Sequence, residues 1–124
     1  IQALGSGNRN LPRPIKISYS DPERGDITII WTINNNRSQD SIKTGMQMDM
    51  INILKAIDQS KFAYIFVVLS GTFSIQDEHG NIVETQVVNL GFNKSAVDKV
   101  NWENFQHSDI YDLADTQIIH PLFR

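Results

Sequence analysis

The chain contains no cysteine. A disulfide scaffold, a thiol nucleophile and zinc centres built on sulfur are excluded by that absence. It suits the cytosol and equally the surface of bacteria that use few disulfides, so it does not place the compartment. No apolar run is long enough to span a bilayer, and no signal-peptide pattern is present. Charge of one sign is also scarce: Lys and Arg total 11 against 14 Asp and Glu, a net charge of −3. A nucleic-acid backbone needs a concentrated basic face, so it is not the expected partner. Glycine-rich phosphate loops are missing too. Gly5-Ser6-Gly7 precedes no strand–helix unit.

Catalytic signatures are equally sparse. Ser70 has Val68 where a nucleophile elbow needs glycine. His79, His107 and His120 lie far apart, none at metal-ligand spacing. Asp109, Asp112 and Asp115 recur every third residue and would share a helix face. Without the glycine and closing glutamate of a calcium loop they read as a solvated acidic face. Asn36-Arg37-Ser38 and Asn93-Lys94-Ser95 match the glycosylation pattern at a frequency this composition produces by chance. No cofactor is expected, and the balance is against an enzyme.

What is present is a small α+β domain. At 124 residues one domain is expected, able to bury about two thirds of its unfolded surface. It centres on a long β-hairpin. Tyr64 to Leu69 is apolar on both faces; from Ser70 to Gln76 apolar and polar residues alternate, the period of a strand with one wet face. Gly71 marks a bulge or a close approach. Asp77-Glu78-His79-Gly80-Asn81 supplies the turn. The return strand, Ile82 to Phe92, carries Val88, Leu90 and Phe92 on one face and Val83, Thr85 and Val87 on the other. That switch predicts a bulge or twist.

Around the hairpin, residues 1–14 read as a linker or tail, rich in Gly, Asn, Arg and Pro, and residues 15–124 as the domain. The tail is expected to dock on its own domain or on a neighbouring copy. Ile15 to Tyr19 reads as an edge strand, and Asp26 to Ile33 as a strand with Ile27, Ile29, Trp31 and Ile33 on one face. Asp40 or Ser41 would cap an amphipathic helix whose apolar stripe is Ile42, Met46, Met50, Ile53, Leu54 and Ile57, with Lys43, Gln47, Asp49, Asn52 and Lys55 opposite. The expected architecture is an antiparallel sheet on the hairpin, packed against this one main helix. A short helix or turn is expected over 94–105 and another segment after Ser108-Asp109. The apolar ending Ile118 to Phe123 should pack on the domain.

Gly71-Thr72-Phe73, the turn 77–81, the run from Ala96 to Phe105, Ile110 to Asp115 and the ending Ile119 to Phe123 together resemble uncharacterised extracytoplasmic domains of Gram-positive bacteria, many of them lipoproteins or anchored proteins. The resemblance implies location and carries no functional residues. The start at Ile1, without Met, adds the expectation that an N-terminal signal, anchor or domain has been removed. The leading expectation is a non-enzymatic extracytoplasmic domain, membrane-associated only through that missing segment, which binds a protein partner or itself. The alternative is a ligand-binding or enzymatic domain with a pocket between helix and sheet. Trp31, Tyr64, Phe66, Trp102 and His120 are the candidate pocket or interaction residues.

Overall fold

Alternation from Asp26 to Thr32 sends Ile27, Ile29 and Trp31 to one side, where all three are buried. Every other strand is placed by that side. In the computed structural model, which describes residues 4–13, 16–21, 23–60 and 63–124, the strands are β1 (Lys16–Asp21), β2 (Asp26–Thr32), β3 (Phe66–Gln76), β4 (Ile82–Asn93) and β5 (Thr116–Ile119). They form one sheet in sequence order. The boundary expected at residues 14 and 15 lies outside the described residues.

The α+β class and the hairpin-plus-helix plan hold, with one departure. β1–β2, β3–β4 and β4–β5 are antiparallel, but β2–β3 is parallel. A parallel neighbour needs a crossover. The helix α1 (Gln39–Gln59) provides it, its length of about 30 Å returning the chain to the level where β2 began.

The helix is capped two residues before the earliest expected cap. Ser38 is the N-cap: its Oγ accepts the Ser41 N–H at 3.1 Å, while Ser41 Oγ accepts the Ser38 N–H at 3.1 Å. This reciprocal box satisfies two donors that a cap at Asp40 would leave open. The predicted apolar stripe is buried at every position. Gln47, expected on the wet side, is buried as well, because its Oε1 lies 3.0 Å from His107 Nδ1.

The predicted bulge lies between Gly71 and Thr72. Gly71 pairs with Val88 and Thr72 with Gln86, so Val87 is the extra residue. Past it the alternation is reset, which brings Thr85 and Val83 onto the same face as Val88 and Leu90. A Cβ on Gly71 would meet Ile33 Cδ1 at 2.8 Å and Val88 Cγ1 at 2.9 Å. Gly71→Ala therefore overpacks the sheet's centre and should cost about 1–3 kcal/mol, read from the denaturant midpoint.

The second half is more broken than its periodicity suggests. Helical geometry in 94–105 is confined to α2 (Lys94–Val97), and α3 (Ile110–Leu113) is one turn. Asp109 makes no side-chain cap bond. The three aspartates do not share a helix face: only Asp112 lies in α3, and Asp115 accepts the Asn93 N–H at 2.8 Å. The ending packs as expected. Phe123 is fully buried, and its carbonyl accepts the Tyr111 hydroxyl at 2.5 Å. β5, read beforehand only as an apolar tail, pairs with β4 from Val88–Ile119 to Gly91–Thr116.

Candidate interaction surface

Helix α1 covers one face of the sheet. The opposite face follows from the pairing. One row crosses Lys16, Ile30, Ser70, Asn89 and Ile118; the next crosses Ser18, Thr28, Val68, Gly91 and Thr116. Within these rows Ser70 and Gly91 are buried, whereas Lys16, Thr116 and Ile118 are exposed. The face is mostly hydroxyls and carboxamides, interrupted by Ile30, Phe66, Val68 and Ile118. Ile118 is 76% exposed, and Ile65, at the base of β3, is 63% exposed.

Two hollows flank this face. One, of about 520 Å³, is lined by Arg24, Asp26, Ile65, Phe66 and Asn93. The other, of about 540 Å³, lies along β5 between Tyr111, Asp112, Ile118 and Arg124. Phe66 lies across Gly91: a Cβ there would fall 2.4 Å from its ring tip and 2.3 Å from Thr116 Oγ1. The missing side chain thus lets an aromatic ring lie flat on the sheet.

The sequence-selected residues scatter. Trp31 is wholly buried under α1, and its indole N–H donates to Asp49 Oδ2 at 3.1 Å. The space between helix and sheet is filled by Trp31, Met46, Met50, Leu54, Leu69 and Leu90, all with no exposed surface. Tyr64 is buried beside a hollow at the base of β3, where burial, reinforced by Asp98 and Asp58, pushes its hydroxyl up to about 12. Phe66 lines the adjoining hollow. Trp102 packs edge-on against Phe105 at 5.4 Å. His120 is structural: its Nδ1 accepts the Leu122 N–H at 3.2 Å at the start of the final turn. Only Tyr64 and Phe66 come together. Ile65 and Ile118 were not selected beforehand, although the alternation that marks β5 would have put Ile118 opposite the buried Ile119.

No family model, curated protein or solved structure matches this chain.

The segment before β1 is fastened at two points. Arg9 forms a two-pronged pair with Glu84, 2.9 Å from Nη1 to Oε1 and 2.8 Å from Nη2 to Oε2. These bonds, helped by Thr72 and Ser74 and by the Arg9 charge, hold Glu84 below the usual carboxylate range against partial burial. Arg13 pairs with Asp49 on α1; their side chains are 3% and 17% exposed. Here the balance reverses. Desolvation raises the Asp49 carboxyl, and the Arg13 charge and the bonds from Trp31 and Arg13 offset it only in part. Arg9 and Glu84 are 75 positions apart, so no local pattern could have paired them. Among the described residues no three His, Asp or Glu groups could hold a metal ion. No described helix is long and apolar enough to cross a membrane.

Proposed function

We propose that this chain is a non-enzymatic protein-interaction domain of the extracytoplasmic space, tethered through its N-terminal side, that docks another protein or a second copy of itself on the sheet face opposite α1. One observation carries the reading. The sheet face opposite α1 carries the partly exposed Phe66, Val68 and Ile30 and the exposed Ile118 among small polar residues, with a hollow at either margin. A few apolar anchors in a polar surround are the composition of a docking patch. The extracytoplasmic setting and the tether are supported by the resemblance in the second half of the chain.

The test is a photocrosslinking side chain at position 118 in native cells, with one at Asn52 on the exposed side of α1 as control. A discrete adduct from 118, absent from 52 and lost on Phe66→Ser, is the expected result. A dimer-sized adduct identifies the partner as a second copy. Equal or no labelling from both positions overturns the docking surface. Protease added to intact cells should cleave the domain; full protection overturns the extracytoplasmic location.

A further inference from the structure

The bonding of Arg9 goes beyond an ion pair. Its Nε donates to the Ile33 carbonyl at 2.8 Å, Nη1 to Ser74 Oγ at 3.1 Å and Glu84 Oε1 at 2.9 Å, and Nη2 to Glu84 Oε2 at 2.8 Å and the Thr72 carbonyl at 3.3 Å. A guanidinium has five N–H donors, and all are used. The receiving side is equally complete. Glu84 Oε1 also accepts Ser74 Oγ at 3.1 Å and Oε2 accepts Thr72 Oγ1 at 2.8 Å, which holds the carboxylate in a fixed plane. The Phe73 ring lies 4.5 Å from the guanidinium carbon, close enough for a cation–π contact. The side chain is 11% exposed. Arg13 makes the contrast: though more deeply buried, it leaves its Nε without a partner.

This socket stands where the sheet offers an open edge. The last β2–β3 pair is Thr32–Thr72, and the Ile33 N–H closes on the Thr72 carbonyl at 3.0 Å. β3 runs on to Gln76 paired with β4 on one side, with no described strand on the side where β2 ends. Arg9 therefore takes the place the next strand residue would have held. It is delivered by a segment, 4–13, that has neither helix nor strand.

We propose that Glu84, Thr72, Ser74, Phe73 and the Ile33 carbonyl form a guanidinium-binding site for an arginine carried on an extended segment, occupied here in cis by the chain's own Arg9. Planar, two-pronged recognition with five donors satisfied selects arginine over lysine. Cis occupancy makes the site self-blocking, because a tethered ligand competes at an effective concentration near millimolar. The incoming arginine belongs either to the same segment of a second copy or to another protein. This site shares no residue with the apolar anchors of the face opposite α1, so the two proposals stand or fall separately.

The probe is a synthetic peptide of residues 4–13, titrated into the full chain. Arg9→Ala, with its socket vacated, should bind it at least about tenfold more tightly than the wild-type chain. The same peptide with lysine in place of Arg9 alone, Arg13 kept, should lose about tenfold or more. Adding Glu84→Gln to Arg9→Ala should abolish binding. Equal binding by wild type and Arg9→Ala, or binding unmoved by Glu84→Gln, overturns the site. If Arg9→Ala misfolds, hydrogen exchange on the wild type decides: saturating peptide should deprotect residues 4–13, and unchanged exchange overturns the proposal. The source of the arginine is read by mixing Arg9→Ala with Glu84→Gln chains. A dimer formed only in the mixture supports exchange between copies, whereas peptide binding without that dimer supports an arginine from another protein.

Discussion

Replacing Trp31 with alanine should destabilise the domain by about 3–5 kcal/mol, the range for removing a fully buried large aromatic side chain. Its indole has no exposed surface and belongs to the cluster of α1 and the sheet's covered face. Set against a total stability of about 5–15 kcal/mol, that loss would bring the chain near the unfolding threshold. The thermal midpoint should drop by roughly 10–20 °C. Trp31→Phe separates the contributions. It keeps most of the apolar area but removes the donor to Asp49 Oδ2, so about 1–2 kcal/mol should be lost. Equal losses for alanine and phenylalanine would show that the hydrogen bond, and not the buried volume, holds the site.

Asp49→Ala should release the Arg13 end of the N-terminal segment while the sheet stays folded. Arg13 is 3% exposed and pairs with Asp49, so deleting the carboxylate strands a buried cation at a cost of about 3–5 kcal/mol. The segment has no regular structure of its own. It escapes that cost by undocking, which caps the loss of global stability at its docking energy. Hydrogen exchange should therefore rise around Arg13 and stay low around Arg9, which Glu84 still holds, and through α1 and the β3–β4 hairpin. Loss of protection across the whole chain would mean that the segment is integral to the core.

Acid should act on the two fastenings with opposite sign. Glu84 sits below its ordinary range. Its contribution is therefore present above the unfolded carboxylate value and is lost as pH falls through the depressed one. Asp49 sits above its ordinary 3.8, so the native form holds that proton more tightly and its contribution weakens as pH rises through the raised value. On acidification the Arg9–Glu84 fastening weakens, whereas protonation of Asp49 is favoured while the segment is docked. Exchange should thus rise around Arg9 as pH falls, without a matching rise around Arg13.

The covered side of the fold is legible in the sequence because its signals are local. The stripe from Ile42 to Ile57 lies at helical spacing, and each of those residues is buried. The face switch in β4 marks the bulge beside Gly71, because one extra residue reverses the alternation. Gln47 and the helix start at Ser38 are less legible. A polar side chain is buried only when a partner such as His107, 60 positions away, is brought to it.

The candidate sites are the least legible part. Arg9 and Arg13 lie in a segment without periodicity and Glu84 lies between Val83 and Thr85 on the hairpin, so nothing local marks them as partners. Periodicity reports which face of an element avoids water, so the sequence by itself determined the hairpin, the main helix and the residues between them. Only the tertiary structure decided the parallel pairing of β2 with β3, the fifth strand, the face opposite α1 and the arginine socket. Each of these depends on groups far apart in the chain, whose meeting is set by the packing of whole elements and leaves no repeat in the local pattern.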